Sequence, residues 1–460
     1  MSTLLRNIDR LGVTFDHEGL VANAGLIVPA TLMARLGIEA LIDGLVRTGS
    51  SRPGRKILSV VAAILAGATH IDHVGMLRAG ATGRVLPFKP MAASTVGTFL
   101  RSFTFGHVRQ FDAVCSRVLA AAWAAGAGPR SDARVVIDLD STICQVHGKA
   151  KQGTGYGYTR VLGYHPLLAT LAGTGEILFA RMRHGSAHTA RGTIRFVDEL
   201  VGVMKRAGTV GPITMRADSG FWAWKLIDRL DDHKITWSIT VRLHKHMKHA
   251  IAAIPETAWV DIDYTLGGQA QVGETIYTTG TGPTKRSVRL VVRRTRLTDK
   301  TQSRLWPDWR HHAFITNRDD LTGIEADQFH REHAVVELAI RDLKEGAGLE
   351  HLPSGNYNAN AAWLLCAVLA HNLGIWTTTI AAQPNITHKT RRTRIITLPA
   401  TIVNHAGTMI LRFPVGCPGP TNSSKCSKPL ERYQHQANQP PGPAATNKPK
   451  RAYNHKNRVF

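Results

Sequence analysis

The sequence has 460 residues, 43% of them hydrophobic and 20% charged, a composition that can bury a large core, suits roughly two to four domains and excludes a chain disordered throughout. Its 57 Lys and Arg stand against 33 Asp and Glu, a formal charge of +24 with a pI near 10.3, and a field of that sign draws polyanions. The apolar runs at 57–68 and 361–369 are too short to span a bilayer, so nucleic acid rather than a membrane is the expected partner; a merely solubilising surface is the plainer alternative.

Five cysteines, Cys115, Cys144, Cys366, Cys417 and Cys426, form no Cys-x-x-Cys pair, so neither a zinc knuckle nor a disulfide framework is indicated. Arg6, Asp9 and Arg10 lie close together with no long apolar run after them, which does not read as a signal peptide; a cytoplasmic protein of bacterial type is expected.

Residues 1–130 read as a mainly helical, DNA-binding region, with apolar residues at helical spacing over 108–125. Its Arg47, Arg52, Arg55, Lys56, Arg78, Arg84 and Lys89 lie mostly in turns containing Gly and Pro, a pattern that fits phosphate contacts and a solvated surface equally. From 131 to 243 the texture is α/β. Runs at 134–140, 167–172 and 177–183 predict a three-strand meander, the last two joined as a hairpin through Gly173-Thr-Gly175. Helix, strand, helix and strand follow at 189–206, 213–217, 222–231 and 235–241, which predicts a mixed sheet covered by helices.

Residues 244–323 carry short β-like runs at 259–264, 287–292 and 313–316 and read as an inserted β domain. Two helices, 324–344 and 360–376, complete the core to residue 380, and the second is apolar on nearly every side and should be buried. A basic C-terminal region covers 381–422. The tail 423–460, rich in Pro, Asn and Lys with Glu431 as its one acidic residue, should be disordered.

The run Val135-Val-Ile-Asp138-Leu-Asp140-Ser-Thr142 ends an apolar strand on two carboxylates that share one face. Asp218 ends the strand 213–217 in the same way, although an Asp before a helix is also an ordinary N-cap. On the helix 324–344, His330, His333, Glu337, Arg341 and Lys344 recur at spacings of three, four, four and three, one charged stripe opposite the apolar Val336, Ala339, Ile340 and Leu343. Each element alone has a plain reading, a turn cap or a solvated face. Together they supply oxygen ligands for two hard cations, Mg2+ or Mn2+, about 4 Å apart, the arrangement that activates a water or a 3′-hydroxyl against a phosphodiester.

These residues resemble the DDE transposases of bacterial insertion sequences, whose catalytic core is an RNase H-like fold interrupted by a β domain. The resemblance covers residues 133–378. The family's first Asp precedes x-Thr or x-Ser, which matches Asp140-Ser-Thr142 and favours Asp140 over Asp138; its second matches Asp218. Its Tyr-Arg-Glu-Lys signature falls on His330, His333, Glu337 and Lys344, with Gly346-Ala-Gly348 following as a helix stop. Both the Tyr and the Arg positions are His here, and a mostly neutral His cannot replace the charge of Arg.

The resemblance implies a cut-and-paste enzyme in which Asp140, Asp218 and Glu337 bind two Mg2+ or Mn2+ ions, their carboxyl oxygens on the order of 4 to 8 Å apart. It further implies DNA contacts at His330, His333, Arg341 and Lys344, the Lys on a terminal phosphate; a β insertion that handles the element's inverted-repeat ends; and a homodimer on paired ends.

Weaker signals are His244-Lys-His246-Met-Lys-His249, which reads as a basic DNA-facing turn more than a metal site, and Trp306 and Trp309, which suit core packing or stacking on an unpaired base. Two other readings compete. A haloacid-dehalogenase-like phosphatase would use Asp138 and Asp140 as an Asp-x-Asp-x-Thr motif, and would require a parallel strand after the first. A DNA-binding protein derived from a transposase would keep the basic regions without catalysis.

Overall fold

The computed structural model describes residues 11–157, 159–264, 268–296 and 309–417. The expected stacking of Trp306 and the expected disorder of 423–460 lie outside the described residues. A nine-stranded sheet organises the chain. In chain order its strands are β1 (Val135–Ser141), β2 (Leu167–Leu171), β3 (Ile177–Arg181), β4 (Ile213–Ala217), β5 (Thr236–Thr240), β6 (Val260–Ile262), β7 (Ala270–Thr279), β8 (Arg286–Arg296) and β9 (Trp309–Thr316). Across the sheet they run β6-β7-β8-β9-β5-β4-β1-β2-β3.

β1 pairs antiparallel with β2, and β2 with β3, while β1, β4 and β5 are mutually parallel neighbours. The antiparallel pairing of β1 with the next strand of the sheet is the arrangement that the phosphatase reading does not accommodate. All five residues of β2 are buried, as a strand covered on both faces requires. Among the described residues, the strands between 244 and 323 do not form a separate sheet: β9 pairs antiparallel with β5, and β8, β7 and β6 continue outward from it. β7 falls in a stretch where the sequence suggested no strand.

Five helices precede the sheet, α1 (Ile27–Arg35), α2 (Ile38–Leu45), α3 (Pro53–Ala66), α4 (Ala93–Arg101) and α5 (Phe105–Ala122). After them come α6 (Thr193–Arg206), α7 (Trp224–Asp232), α8 (Lys245–Ala252), α9 (Gly323–Arg331), α10 (Val336–Arg341), α11 (Tyr357–Ile380) and α12 (His388–Arg391). The basic stretch expected to be a turn at 244–249 is instead the start of α8, capped by His244 and anchored by the buried Met247. The last hairpin among the described residues, Ala400–His405 with Thr408–Arg412, pairs with Leu20–Val21.

α11 has 24 residues and is long and apolar enough to cross a membrane by length and composition, which corrects the shorter run read from the sequence; 89% of its apolar window is buried within the protein. It packs against α1, α3, α4, α5 and β3, so the N-terminal helices share one apolar core with the sheet.

Glu176, before β3, is fully buried where these layers meet. Its carboxylate accepts from the indole N–H groups of Trp123 (3.0 Å) and Trp376 (2.6 Å). Burial pushes the carboxyl up to about 7 against these two donors, from an ordinary value near 4.5. A folded value above the unfolded one means stability that is fully present below pH 4.5 and lost as pH rises through 7. Between pH 5 and 8 the protein should therefore lose roughly 2 to 3 kcal/mol more than a Glu176→Gln variant, whose amide mimics the neutral acid. Urea unfolding of the two proteins across that range measures the difference; parallel pH profiles would show that Glu176 is already ionised at pH 5.

Candidate active site

The parallel register of β1 and β4 pairs Asp138 with Arg216 and Leu139 with Ala217, so Asp140 and Asp218 are the next two residues along adjacent strands. Strand spacing of about 4.8 Å puts their backbones side by side, and the two-residue alternation sends both side chains to the face that carries Asp138 and Arg216.

The same face receives the helix bearing Glu337. Arg216, 1% exposed, donates through Nε and Nη2 to the two oxygens of Asp138 (2.7 and 2.9 Å). Its Nη1 reaches over to the Phe329 carbonyl (2.7 Å) and to Glu332 (3.2 Å). His333 Nδ1 meets Asp138 Oδ1 at 2.8 Å, a charge-assisted contact that fixes the helix onto the sheet. Glu337 follows His333 by one turn, which carries it toward the level of Asp140.

The segment expected as one helix over 324–344 is α9, a tightened 3-10 turn at Glu332–Val335, α10, and a π turn at Asp342–Gly346. α9 opens on a capping box in which Thr322 Oγ1 accepts from the Glu325 amide and Glu325 accepts from the Thr322 amide,. The tightened turn coincides with the pull of Arg216 and Asp138 on Phe329 and His333.

The predicted stripe is consequently not one solvent face. His330 is 3% exposed, and its two ring nitrogens meet the hydroxyls of Ser238 (2.7 Å) and Thr240 (2.8 Å). Burial holds its pKa well below the ordinary value. A neutral ring enclosed in this way has no edge to offer a phosphate, so the DNA contact expected of His330 is corrected to packing between helix and sheet. His333 is likewise engaged by Asp138. Glu337 and Arg341 are exposed, and Lys344 is half-buried with Nζ donating to the Ile143 carbonyl at 3.1 Å.

Asp140, Ser141, Thr142, Glu337, Arg341, Lys344, Glu345 and Glu350 line a cleft of about 260 Å3. Asp218 is exposed on the neighbouring strand, outside that lining. Burial pushes the Asp140 carboxyl up to about 6, with the nearby charges of Asp218 and Glu337 adding to the rise and the Ser141 amide (2.6 Å) and His333 opposing it. Asp218 Oδ1 accepts from the Gly220 amide at 2.9 Å, so it does cap the turn that follows, and Oδ2 has no partner in that turn. Three carboxylates near one another, one of them desolvated, form a donor set that a hard dication would relieve of mutual repulsion.

The sequence reading missed Arg216. Arg216-x-Asp218 lies beside Asp138-x-Asp140, and the matching two-residue offset on two apolar strands that each end on a carboxylate is the signal that would have paired Arg216 with Asp138. It also missed His165, whose ring spans Ser141 Oγ (2.9 Å) and the Ala187 carbonyl (2.8 Å) and so fixes the residue after Asp140.

The family described as Transposase DDE domain group 1 matches residues 6–435. The chain belongs to this family of DDE transposases. Among solved structures, the cryo-EM structure of the piggyBac transposase synaptic complex with hairpin DNA is similar to this DDE transposase over 82% of its length and 79% of that chain, at 12% identity and a TM-score of 0.42. No curated protein matches the sequence.

Proposed function

We propose that this DDE transposase cuts and joins DNA strands at Asp140, Asp218 and Glu337, moving an insertion sequence by a cut-and-paste route in the cytoplasm. The observation that carries the reading is the side-by-side ending of β1 and β4 on Asp140 and Asp218, beneath the helix that Arg216 and His333 fix against Asp138. In this reading β1 to β5, in the order β3-β2-β1-β4-β5, are an RNase H-like core, and β6 to β9 are an insertion grown onto its edge.

Asp140, Asp218 and Glu337 would hold two Mg2+ or Mn2+ ions. When bound, such ions activate a water or a 3′-hydroxyl and stabilise the leaving oxygen. Around them, Arg341 and Lys344 on the cleft wall bind and orient phosphates,. The Ile143 carbonyl restrains the Lys344 ammonium at the end of β1. His333 acts through Asp138, holding the Glu337 helix in place.

Arg55, Arg78, Arg84 and Lys89 share a cleft of about 590 Å3 among the N-terminal helices, which supports a duplex path there. Not every basic residue of that region is available: Lys56 is buried and bonded to Ser50, and Arg55 also pairs with Glu39. Trp309 and Trp259 flank the Arg294 guanidinium at 4.5 and 4.2 Å, which favours packing over base stacking for Trp309. Pairing of two inverted-repeat ends by a homodimer completes the reading.

Asp138 is buried and held by the Arg216 guanidinium and the His333 ring, which counts against a nucleophile at that position and so against phosphatase chemistry. The deciding experiment incubates the full chain with a DNA fragment carrying the borders of its own element, with Mg2+ or Mn2+ and then with excess chelator. Metal-dependent cleavage at the element's ends is expected; a chain that binds this DNA and never cuts it would favour the inactive-binder reading.

A further inference from the structure

Five residues beyond Glu337, on the other side of the same helix, is a group of side chains that transposition chemistry does not use. Asp342 lies in the π turn, His371 in α11 and His388 at the start of α12. One ligand atom from each falls within 4.8 Å of the other two, the one such trio of His, Cys, Asp or Glu among the described residues.

The hydrogen bonds decide which atoms face inward. His371 Nε2 lies 2.9 Å from the Gly175 carbonyl, and His388 Nε2 lies 3.2 Å from the His371 carbonyl. A carbonyl only accepts, so both protons sit on Nε2 and both Nδ1 atoms carry a bare lone pair. The His371 side chain is 2% exposed, and its Nδ1 has no hydrogen-bond partner. It points toward Asp342 Oδ2 at 4.0 Å, beyond hydrogen-bonding reach. The Asp342 oxygens in turn accept from the His388 amide at 2.8 and 3.1 Å. Imidazoles that donate their far nitrogen to a carbonyl, beside a carboxylate oriented by an amide, are arranged as metal ligands are.

The surroundings make room for this arrangement. A Cβ on Gly346 would stand 2.5 Å from His388 Cβ and 2.8 Å from Asp342 Oδ1, and one on Gly374 would stand 2.8 Å from His388 Cε1. Two glycines thus admit the His388 ring between the helices. Asp342 and His371 also line a cleft of about 560 Å3 with Asn385, Ile386 and Thr387, which gives an ion an entry path and leaves space for a water as fourth ligand.

We propose that Asp342, His371 and His388 bind one divalent transition metal, zinc or an ion of similar ligand preference, and that this ion ties the helix carrying Glu337 to α11 and α12. The charge around the trio selects the class of ion. Arg391 and Arg392 act on Asp342, with Glu345 opposing them, and Arg391 acts on both imidazoles. Two guanidinium groups disfavour Mg2+ and Ca2+, which are held largely by negative charge, whereas two imidazole nitrogens favour zinc, cobalt or nickel.

The test uses the tag-free full chain, stripped with chelator, supplied with one equivalent of Zn2+ and passed through a desalting column. One zinc per chain should remain by elemental analysis, and the melting temperature should rise on the order of 5 °C over the stripped protein. Co2+ in place of zinc should give the visible absorption of a tetrahedral nitrogen and oxygen site. His371→Gln, His388→Gln and Asp342→Asn should each lose the bound ion, while the triple change of Asp140, Asp218 and Glu337 to Ala should keep it, separating this site from the carboxylate cleft. A wild-type chain that retains no zinc, a His371→Gln chain that retains it, or a triple variant that loses it would overturn the proposal. The wild-type measurement stands even if a histidine variant fails to fold.

Discussion

Replacing Asp138 with alanine should lower the unfolding free energy by about 3 to 5 kcal/mol, the cost of leaving one member of a buried ion pair alone. The side chains of Arg216 and Asp138 are 2% and 3% exposed, so solvent replaces the carboxylate's two hydrogen bonds only in part. The guanidinium would keep only the Phe329 carbonyl and the largely exposed Glu332. His333 would lose its partner in the same step, and with it the helix bearing Glu337 would lose its direct tie to β1. Asp138→Asn keeps the shape and part of the hydrogen bonding, and should lose less. Urea unfolding at pH 7 of the three proteins gives the comparison. An alanine variant as stable as the parent, yet inactive, would reverse the assignment and make Asp138 the reacting group.

That contrast between Asp138 and Asp140 marks where sequence reading reaches and where it stops. The strand Ile213–Ala217 agrees with the run read from the sequence, and β1 and β2 are within a residue of theirs, because uninterrupted apolar runs bounded by turn residues define buried strands locally. Two-residue alternation then put Asp138 and Asp140 on one face, but it could not say which is enclosed. Enclosure is decided by Arg216 across the sheet and by His333 from a helix 195 positions away along the chain, and no local pattern carries that information.

His330 makes the same point from the helix side. Its spacing with Glu337 is that of a shared face, yet helix α9 leans into β5 so that this part of the face meets Ser238 and Thr240 rather than solvent. β7 was illegible for a different reason. Its sequence Ala-Gln-Val-Gly-Glu-Thr-Ile-Tyr-Thr-Thr mixes Gly and charge with β-branched residues, and ten pairings with β8, rather than intrinsic propensity, make it a strand. The 3-10 and π turns around α10 fall where His333 meets Asp138 and where Asp342 accepts from the His388 amide, contacts from distant parts of the chain.

The triple change of Asp140, Asp218 and Glu337 to Ala should abolish strand cleavage while leaving duplex binding intact. Residues that act as one unit are strongly non-additive, so each single change should already cost on the order of 10^3-fold or more, close to the triple. The fold should tolerate the loss. Asp218 and Glu337 are exposed, and Asp140 is a carboxyl that burial and its neighbours push up to about 6, so its ionised form at pH 7 is a burden on the native state rather than a support. Binding rests on other residues, among them Arg78, Arg84 and Lys89 of the N-terminal cleft and Arg341 and Lys344 beside the carboxylates. Removing three negative charges near bound phosphates should therefore hold or raise affinity in the absence of metal, with the steep fall of affinity with salt left unchanged. Cleavage and binding are both read on a fragment carrying the element's own ends, in Mg2+ or Mn2+ for the first and in chelator for the second. Cleavage that survives the triple change would put the active site elsewhere in the chain, and loss of binding together with cleavage would mean that the carboxylates shape the DNA path itself.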